Sequence, residues 1–142
     1  MKYYNKYFKK IGYNNSCTEN LFFSKTMKND KRNKKWKAER KKYGGYDTRA
    51  VWNLNTFMTE QVYTWLKMYL ADADKYVVLT FHTFDINGVT MTEKDALKLA
   101  ISDIEYYLKN LESNDIKVNE ESHKKISEAY NIIGIIFPAL WY

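Results

Sequence analysis

Apolar side chains recur at helical spacing in three stretches of the chain, with polar segments between them. The first helix is predicted from about residue 56 to 71, with Asn55 as its N-terminal cap. Its apolar positions lie three or four residues apart, and Phe57 and Trp65 flank them: Met58, Val62, Leu66, Tyr69 and Leu70.

The clearest helical pattern runs from about residue 93 to 112. Thr92 and Asp95 have the spacing of a capping box, with Asp in place of Glu. The apolar positions that follow trace one stripe: Leu97, Ala100, Ile101, Ile104, Leu108 and Leu111.

A third helix is predicted after Asn119, which can cap it, with Glu120 and Glu121 in the first turn near the positive end of the helix dipole. Its apolar stripe is Ile126, Ala129, Tyr130, Ile133 and Phe137. Pro138 is compatible with the chain leaving the helix there, and Leu140 and Trp141 are expected to pack back onto the core.

The β-branched and aromatic run from Tyr76 to Phe81 predicts a short extended segment between the first two helices. It has no clear partner strand, so we expect a strand or an extended connection. The predicted fold is therefore mainly α, a small bundle of about three amphipathic helices.

The N-terminal third differs from this pattern. Residues 1–27 show no helical or strand periodicity, although Leu21, Phe22 and Phe23 form a small apolar cluster. Residues 28–42 hold nine Lys and Arg against two acidic side chains, and Trp36 is their one large apolar residue. Gly44 and Gly45 favour a turn that ends a preceding helix. We predict a basic arm at 1–43, helical or partly disordered, and a helical domain at 44–142.

Composition narrows the class of protein. The apolar fraction is 45% and the aromatic fraction 17%, which suits one domain with an aromatic-rich core. The start MKYYNKYFKK does not have the pattern of a signal peptide, and no apolar run is long enough to span a membrane. A lone Cys17 fits a reducing compartment. These features predict a soluble protein of the cytoplasm, with no membrane partner.

Catalytic motifs are weak or missing in the sequence. His82 and Asp85 have H-x-x-D spacing that can hold a metal or serve as acid and base, but an ordinary loop histidine is the favoured interpretation. His123 lies beside two lysines on a polar turn, and Cys17 has no adjacent His. No phosphate-binding glycine loop occurs. We expect no enzyme activity, no cofactor and no metal.

The basic segment is the strongest candidate for a binding site, because clustered cations neutralise phosphates and an aromatic face can stack on an unpaired base. The predicted contacts to nucleic acid or to an acidic partner are Lys31, Arg32, Lys34, Lys35, Trp36, Lys37, Arg40, Lys41 and Lys42. An acidic protein surface and a tail that only confers solubility remain alternatives.

A second group of residues follows the glycine pair. In the structural interpretation Asp47 caps a turn, Arg49 pairs with a carboxylate and Trp52 enters the core. In the functional interpretation Tyr46, Arg49 and Trp52 form an exposed anchor for a partner.

The same residues resemble a group of small bacteriophage proteins of unassigned function. The likeness covers about residues 35–142 and is carried by Gly45-Tyr46-Asp47-Thr48-Arg49, Trp52-Asn53-Leu54 and a closing Phe137 with Leu140-Trp141. The pattern of that group is G-[YF]-D-x-R-x-x-W-[NS]-L near the front and F-x-x-L-W at the end. This chain departs from it at Asn55, where Asp is usual, and in the segment from Tyr76 to Gly88.

The resemblance implies a phage or prophage origin and supplies no catalytic residues. Together with the basic arm it predicts a non-enzymatic inhibitor that binds a host protein or nucleoprotein complex in the bacterial cytoplasm, with anti-CRISPR or similar anti-defence action as one form. A direct RNA- or DNA-binding accessory protein is the alternative, and a structural or virion-associated protein is a further one. The oligomeric state stays open.

Overall fold

A computed structural model of the chain describes residues 5–14, 30–76 and 78–140. Three features of the sequence analysis lie outside the described residues: Cys17, the apolar cluster Leu21–Phe23, and Trp141. The chain divides into two compact units, Met1–Val62 and Tyr63–Tyr142, and the division falls within one long helix.

The N-terminal unit holds helix α1 (Lys6–Ile11), helix α2 (Asn33–Lys42), a 3₁₀ helix (Thr48–Val51) and the first part of helix α3 (Leu54–Tyr76). Among the described residues of this unit, the largest buried side chains are Phe8, Trp36 and Phe57. Helix α1 was not predicted, because its six residues bury only Phe8 and show no apolar repeat. The Asn5 side chain caps it by accepting from the Tyr7 amide at 2.9 Å.

The C-terminal unit contains the rest of α3, strands β1 (Thr83–Ile86) and β2 (Val89–Thr92), helices α4 (Glu93–Lys109) and α5 (Ile116–Ile136) and a 3₁₀ helix (Phe137–Ala139). Helices α4 and α5 pack together through their apolar stripes, and Lys125 of α5 donates to Asp103 of α4 at 2.9 Å. This bond raises the pKa of Lys125, and its effect is larger than the opposing effect of burial.

The mainly helical fold is confirmed, but the predicted number of helices was too low. The described residues form five α-helices and a two-stranded sheet, where about three helices were expected. The two helices beyond the predicted three, α1 and α2, lie in the basic arm, which was predicted to be helical or partly disordered. Both are short and bury one residue each, so neither shows the apolar repeat from which the three helices were predicted.

Two helix starts differ from the prediction. Helix α5 begins at Ile116 because Asp115 accepts from the Lys117 amide at 2.9 Å, whereas the Asn119 amide side chain donates to the Ser113 carbonyl. Helix α3 begins at Leu54, so Asn55 lies inside it. The cap at Thr92 is confirmed, since its hydroxyl accepts from the Asp95 amide at 3.2 Å.

The buried stripe of α4 matches the prediction from Leu97 to Leu108. On α3, however, Met58 and Trp65 are 47% and 58% exposed, and the buried positions include Phe57, Tyr63, Leu66 and Ala73. On α5 the buried positions are Ser122, Ala129, Ile132 and Ile136. Phe137 is 70% exposed and lies in the 3₁₀ helix that follows α5.

The extended segment was placed too early in the sequence. Helix α3 continues to Tyr76, and the strand lies at Thr83–Ile86, paired antiparallel with Val89–Thr92. The two-residue turn is Asn87-Gly88, with φ of 55° and 79°. Such a turn requires positive φ at both residues, which Asn-Gly adopts most readily. The partner strand that the sequence did not reveal is therefore the segment directly after this turn.

The turn gives a test with a matched control. Gly88→Ala should lower the free energy of unfolding by about 1 kcal/mol, because an L-residue is strained at positive φ even though no atom lies within 4 Å of an added Cβ. Gly134→Ala, inside α5 and equally open, should raise it by about 0.5 kcal/mol. Urea denaturation followed by circular dichroism measures both, and shifts of the same sign would contradict the turn geometry.

Candidate nucleic-acid interface

Helix α2 has two opposite faces. At about 100° per residue, Trp36, Glu39 and Arg40 lie on one side of the helix, and Lys34, Lys37 and Lys41 lie on the other. We call the second set the lysine face. All three of its side chains are exposed, and none forms an ion pair with a carboxylate in the part of the chain that the structure describes.

The inward face of α2 is organised by Trp36, which is 1% exposed. The Arg49 guanidinium lies 4.4 Å from its ring centroid and that of Arg32 lies 4.9 Å away. Trp52 meets it edge to face, with the ring centroids 5.9 Å apart. Because cations are attracted to the face of an indole ring, two arginines and a second tryptophan hold the helix at this point.

A buried carboxylate joins α2 to the following turn. The side chain of Asp47 is fully buried, and Arg49 donates to it through Nε at 2.9 Å and Nη2 at 2.8 Å. Arg40 of α2 donates to Asp47 Oδ2 at 2.5 Å. Asp47 also caps the 3₁₀ helix by accepting from the Arg49 amide. We call Asp47, Arg40 and Arg49 the Asp47 clamp.

A second contact and the glycine turn bring the clamp together. Glu39 Oε2 accepts from the amide and the hydroxyl of Thr48, both at 3.0 Å. Gly44 has φ of 63°, and the Gly45 amide donates to the Arg40 carbonyl at 2.8 Å. This is a Schellman end, which requires the left-handed conformation that glycine adopts without strain. The chain therefore reverses directly after α2 and returns Asp47 to Arg40.

The carboxylates of this region are stabilised in their charged form. Burial alone raises the pKa of Asp47, but hydrogen bonds from Arg49 and Arg40 outweigh it and leave the pKa below its usual value. The bond from the Thr48 amide lowers the pKa of Glu39. The bond from Arg32 lowers the pKa of Asp30 to about 2.

Arginines and lysines have separate roles here. The sequence has three arginines, Arg32, Arg40 and Arg49, and each is paired with Asp30 or Asp47. The lysines of α2 are exposed instead, and within the described ranges Lys35 is the one that lies near a carboxylate, 3.6 Å from Glu39. Arginine offers a planar fork that binds a carboxylate through two bonds, so it suits the inward position.

The structure brings the sequence-predicted binding residues together on one short helix and its ends, but on different sides. Lys31, Lys34, Lys35, Lys37, Lys41 and Lys42 are exposed. Arg32 pairs with Asp30, Arg40 belongs to the Asp47 clamp and Trp36 is buried. Trp36 is therefore not placed to stack on a base.

The three residues of the predicted partner anchor also differ in exposure. Tyr46 and Trp52 are 43% and 51% exposed, whereas the Arg49 side chain is 8% exposed and bound to Asp47. Val51 and Leu54, which sequence analysis did not select, are exposed next to Trp52 in the sequence. The pairing of Arg40 with Asp47 across the glycine turn was not predicted either. The signal for it in the sequence was the presence of opposite charges on the two sides of Gly44-Gly45.

The histidines have ordinary surroundings. His82 is exposed and meets the Phe81 ring edge to face, and Asp85 accepts from the Gly88 amide within the hairpin turn. His123 is exposed near the Tyr107 ring. Among the residues with described positions, no three His, Cys, Asp or Glu side chains are grouped so as to hold a metal ion.

Comparison with known proteins gives no match to a family model, to a curated protein or to a solved structure. The likeness to small phage proteins thus stays a prediction. None of the helices in the described ranges has the length and apolar character needed to cross a membrane.

The Asp47 clamp predicts a large loss of stability from a small change. Asp47→Asn keeps a capping oxygen but leaves Arg49, 8% exposed, without its counter-charge, so the free energy of unfolding should fall by about 3 kcal/mol. Glu128→Gln is the control, because its pair with Lys124 is exposed and 4.0 Å long, and should cost less than about 0.5 kcal/mol. Urea denaturation measures both, and equal effects would rule out the clamp.

Acid should weaken the same region. Folding lowers the pKa of Asp47 and Glu39, so their stabilisation is complete above the usual carboxyl pKa of about 4 and is lost as pH falls through the lower folded-state values. The urea concentration at the midpoint of unfolding should therefore decrease as the pH falls below about 4. The decrease should be less steep for Asp47→Asn than for the parent protein. Parallel pH profiles for the two proteins would contradict this assignment.

Proposed function

We propose that this protein is a non-enzymatic binding protein that contacts nucleic acid through the lysine face of α2. The observation that carries the proposal is the outward set of Lys34, Lys37 and Lys41, exposed and without carboxylate partners among the described residues. Phosphate groups are the ligands that such clustered ammonium groups bind by releasing counterions.

The overall charge of the N-terminal unit supports a polyanionic ligand. Residues 1–62 carry fifteen Lys and Arg against five Asp and Glu, whereas residues 63–142 carry eight against twelve. A potential of one sign concentrates oppositely charged partners near the surface over about 8 Å at physiological salt.

The order of α2 supports binding in a second way. A helix of this length is marginal in isolation, and lysines three and four residues apart repel one another. The Asp47 clamp and buried Trp36 nevertheless hold the helix, so the lysines are presented before a ligand arrives. Preorganisation reduces the entropy lost on binding.

The resemblance to phage proteins supports a target inside a host nucleic-acid-processing or defence complex. In this proposal the protein inhibits that complex by occupying the path of its nucleic acid, and anti-CRISPR or similar anti-defence action is one form. A direct RNA- or DNA-binding role without a protein target uses the same lysine face.

Contact with a host protein is the second candidate, and exposed apolar side chains favour it. Tyr46, Val51, Trp52 and Leu54 are 43–59% exposed and lie within nine residues of one another. Aromatic residues of this kind are enriched at interface hot spots. In the inhibitor these side chains contact the host protein while the lysine face contacts its nucleic acid.

The lysine face predicts a salt-dependent affinity. Replacing Lys34, Lys37 and Lys41 together by Gln should weaken nucleic-acid binding on the order of 100-fold at about 0.1 M salt and reduce the slope of log affinity against log salt by about 2 to 3. Fluorescence anisotropy with a labelled oligonucleotide measures both quantities.

The matched control replaces Lys98, Lys109 and Lys117, three exposed lysines of the C-terminal unit, by Gln. It removes the same total charge and should reduce the affinity by less than about threefold. Equal losses in the two triple variants would show that net charge alone attracts the ligand. Nuclease-resistant capture of a host protein by both variants would favour the second candidate.

A further inference from the structure

We propose that the lysine face, together with Lys35 and Lys42 beside it, takes double-stranded DNA and binds its backbone without regard to base sequence. This inference rests on the proposed function and names its ligand. The observations that support it are the distribution of lysines around α2, the pairing of every arginine and the position of the tryptophans.

The lysines of α2 lie on both sides of its outward face. At about 100° per residue, Lys34 and Ala38 occupy the middle, Lys37 and Lys41 one side, and Lys35 and Lys42 the other. An α-helix with its side chains is about 10–12 Å wide, and the major groove of B-DNA is about 12 Å wide. A helix lying along this groove would point the two lateral pairs at opposite phosphate backbones.

The outward face lacks the side chains that distinguish bases best. Arginine and lysine make the most common specific contacts to guanine, and Asn or Gln serves adenine, but only arginine presents a rigid planar fork of donors. All three arginines of the chain are paired with Asp30 or Asp47, and the outward positions of α2 are lysine and alanine. Lysine acts as a point charge on phosphate, so the contacts carry little sequence information.

The two tryptophans next to α2 argue against a single strand as the preferred ligand of the lysine face. Single-strand sites combine a basic groove with aromatic side chains on which bases stack. Trp36 is 1% exposed, and Trp52, although 51% exposed, packs against it on the side of α2 away from Lys34, so neither ring lies among the lysines. Tyr43, at the end of the helix, is 56% exposed and has the Lys42 ammonium 5.0 Å from its ring centroid, so one ring, and not a series of rings, adjoins these lysines. A-form RNA is a poorer ligand too, since its major groove is deep and narrow.

The test measures the affinity of the full chain for defined probes by fluorescence anisotropy. The probes are three unrelated DNA duplexes of about 20 base pairs, their separate strands and one RNA duplex. We expect each DNA duplex to bind at least about tenfold more tightly than its strands, because a duplex carries about twice the charge per unit length. The three duplexes should agree within about threefold.

The outcomes separate this inference from the function on which it rests. Single strands or duplex RNA binding as tightly as duplex DNA, or a spread of more than about 30-fold among the duplexes, would overturn the inference and leave nucleic-acid binding intact. Failure of every nucleic acid to bind at low salt would overturn the proposed function as well. Capture of an acidic protein would then show that the ligand of the lysine face is a protein.

Discussion

The position of helix α2 depends on the buried carboxylate of Asp47. Asp47 has no exposed side-chain surface, and it accepts from two arginines that come from opposite sides of the glycine turn. A buried charge is costly unless it is paired and hydrogen-bonded, so the position of Asp47 requires Arg40 and Arg49 to be where they are. Its bond to Arg40 determines the position of α2. Its bonds to Arg49 hold that guanidinium over the Trp36 ring.

This arrangement offsets an unfavourable helix. Helix α2 has no acidic residue in its first turn, where negative charge is favourable, and it carries lysines that repel one another. It buries one side chain, Trp36, which makes a stable helix surprising from local sequence alone. Among the described residues, the contacts with residues 47–52 offset this disadvantage, and they leave the lysines on the far side available to a ligand.

Sequence alone predicted those parts of the fold that depend on local repeats. The apolar stripe of α4 and the Thr92 cap were found because all their determinants lie within one helix. The hairpin was missed although Asn87-Gly88 is a strong turn pattern, because its strands have four residues each and only Ile86 is buried between them. The start of α5 was missed because Asp115 and Asn119 are equally acceptable caps in sequence.

The candidate site was predictable only in outline. Charge counting placed the binding surface in residues 31–42, but it treated all cations alike. The distinction between arginines that bind Asp30 and Asp47 and lysines that face outward depends on tertiary contacts. The burial of Trp36 was hidden for the same reason, since its partners Arg49 and Trp52 follow the turn.

The division between arginine and lysine has a chemical consequence. Acetylation acts on the amine of lysine and removes its charge, whereas a guanidinium is not a substrate for that reaction. Treatment with an acetylating reagent would thus neutralise Lys34, Lys37 and Lys41 while the bonds of Arg40 and Arg49 to Asp47 stayed intact. The outer charge of α2 can be erased in this way without removing the cations that keep it folded.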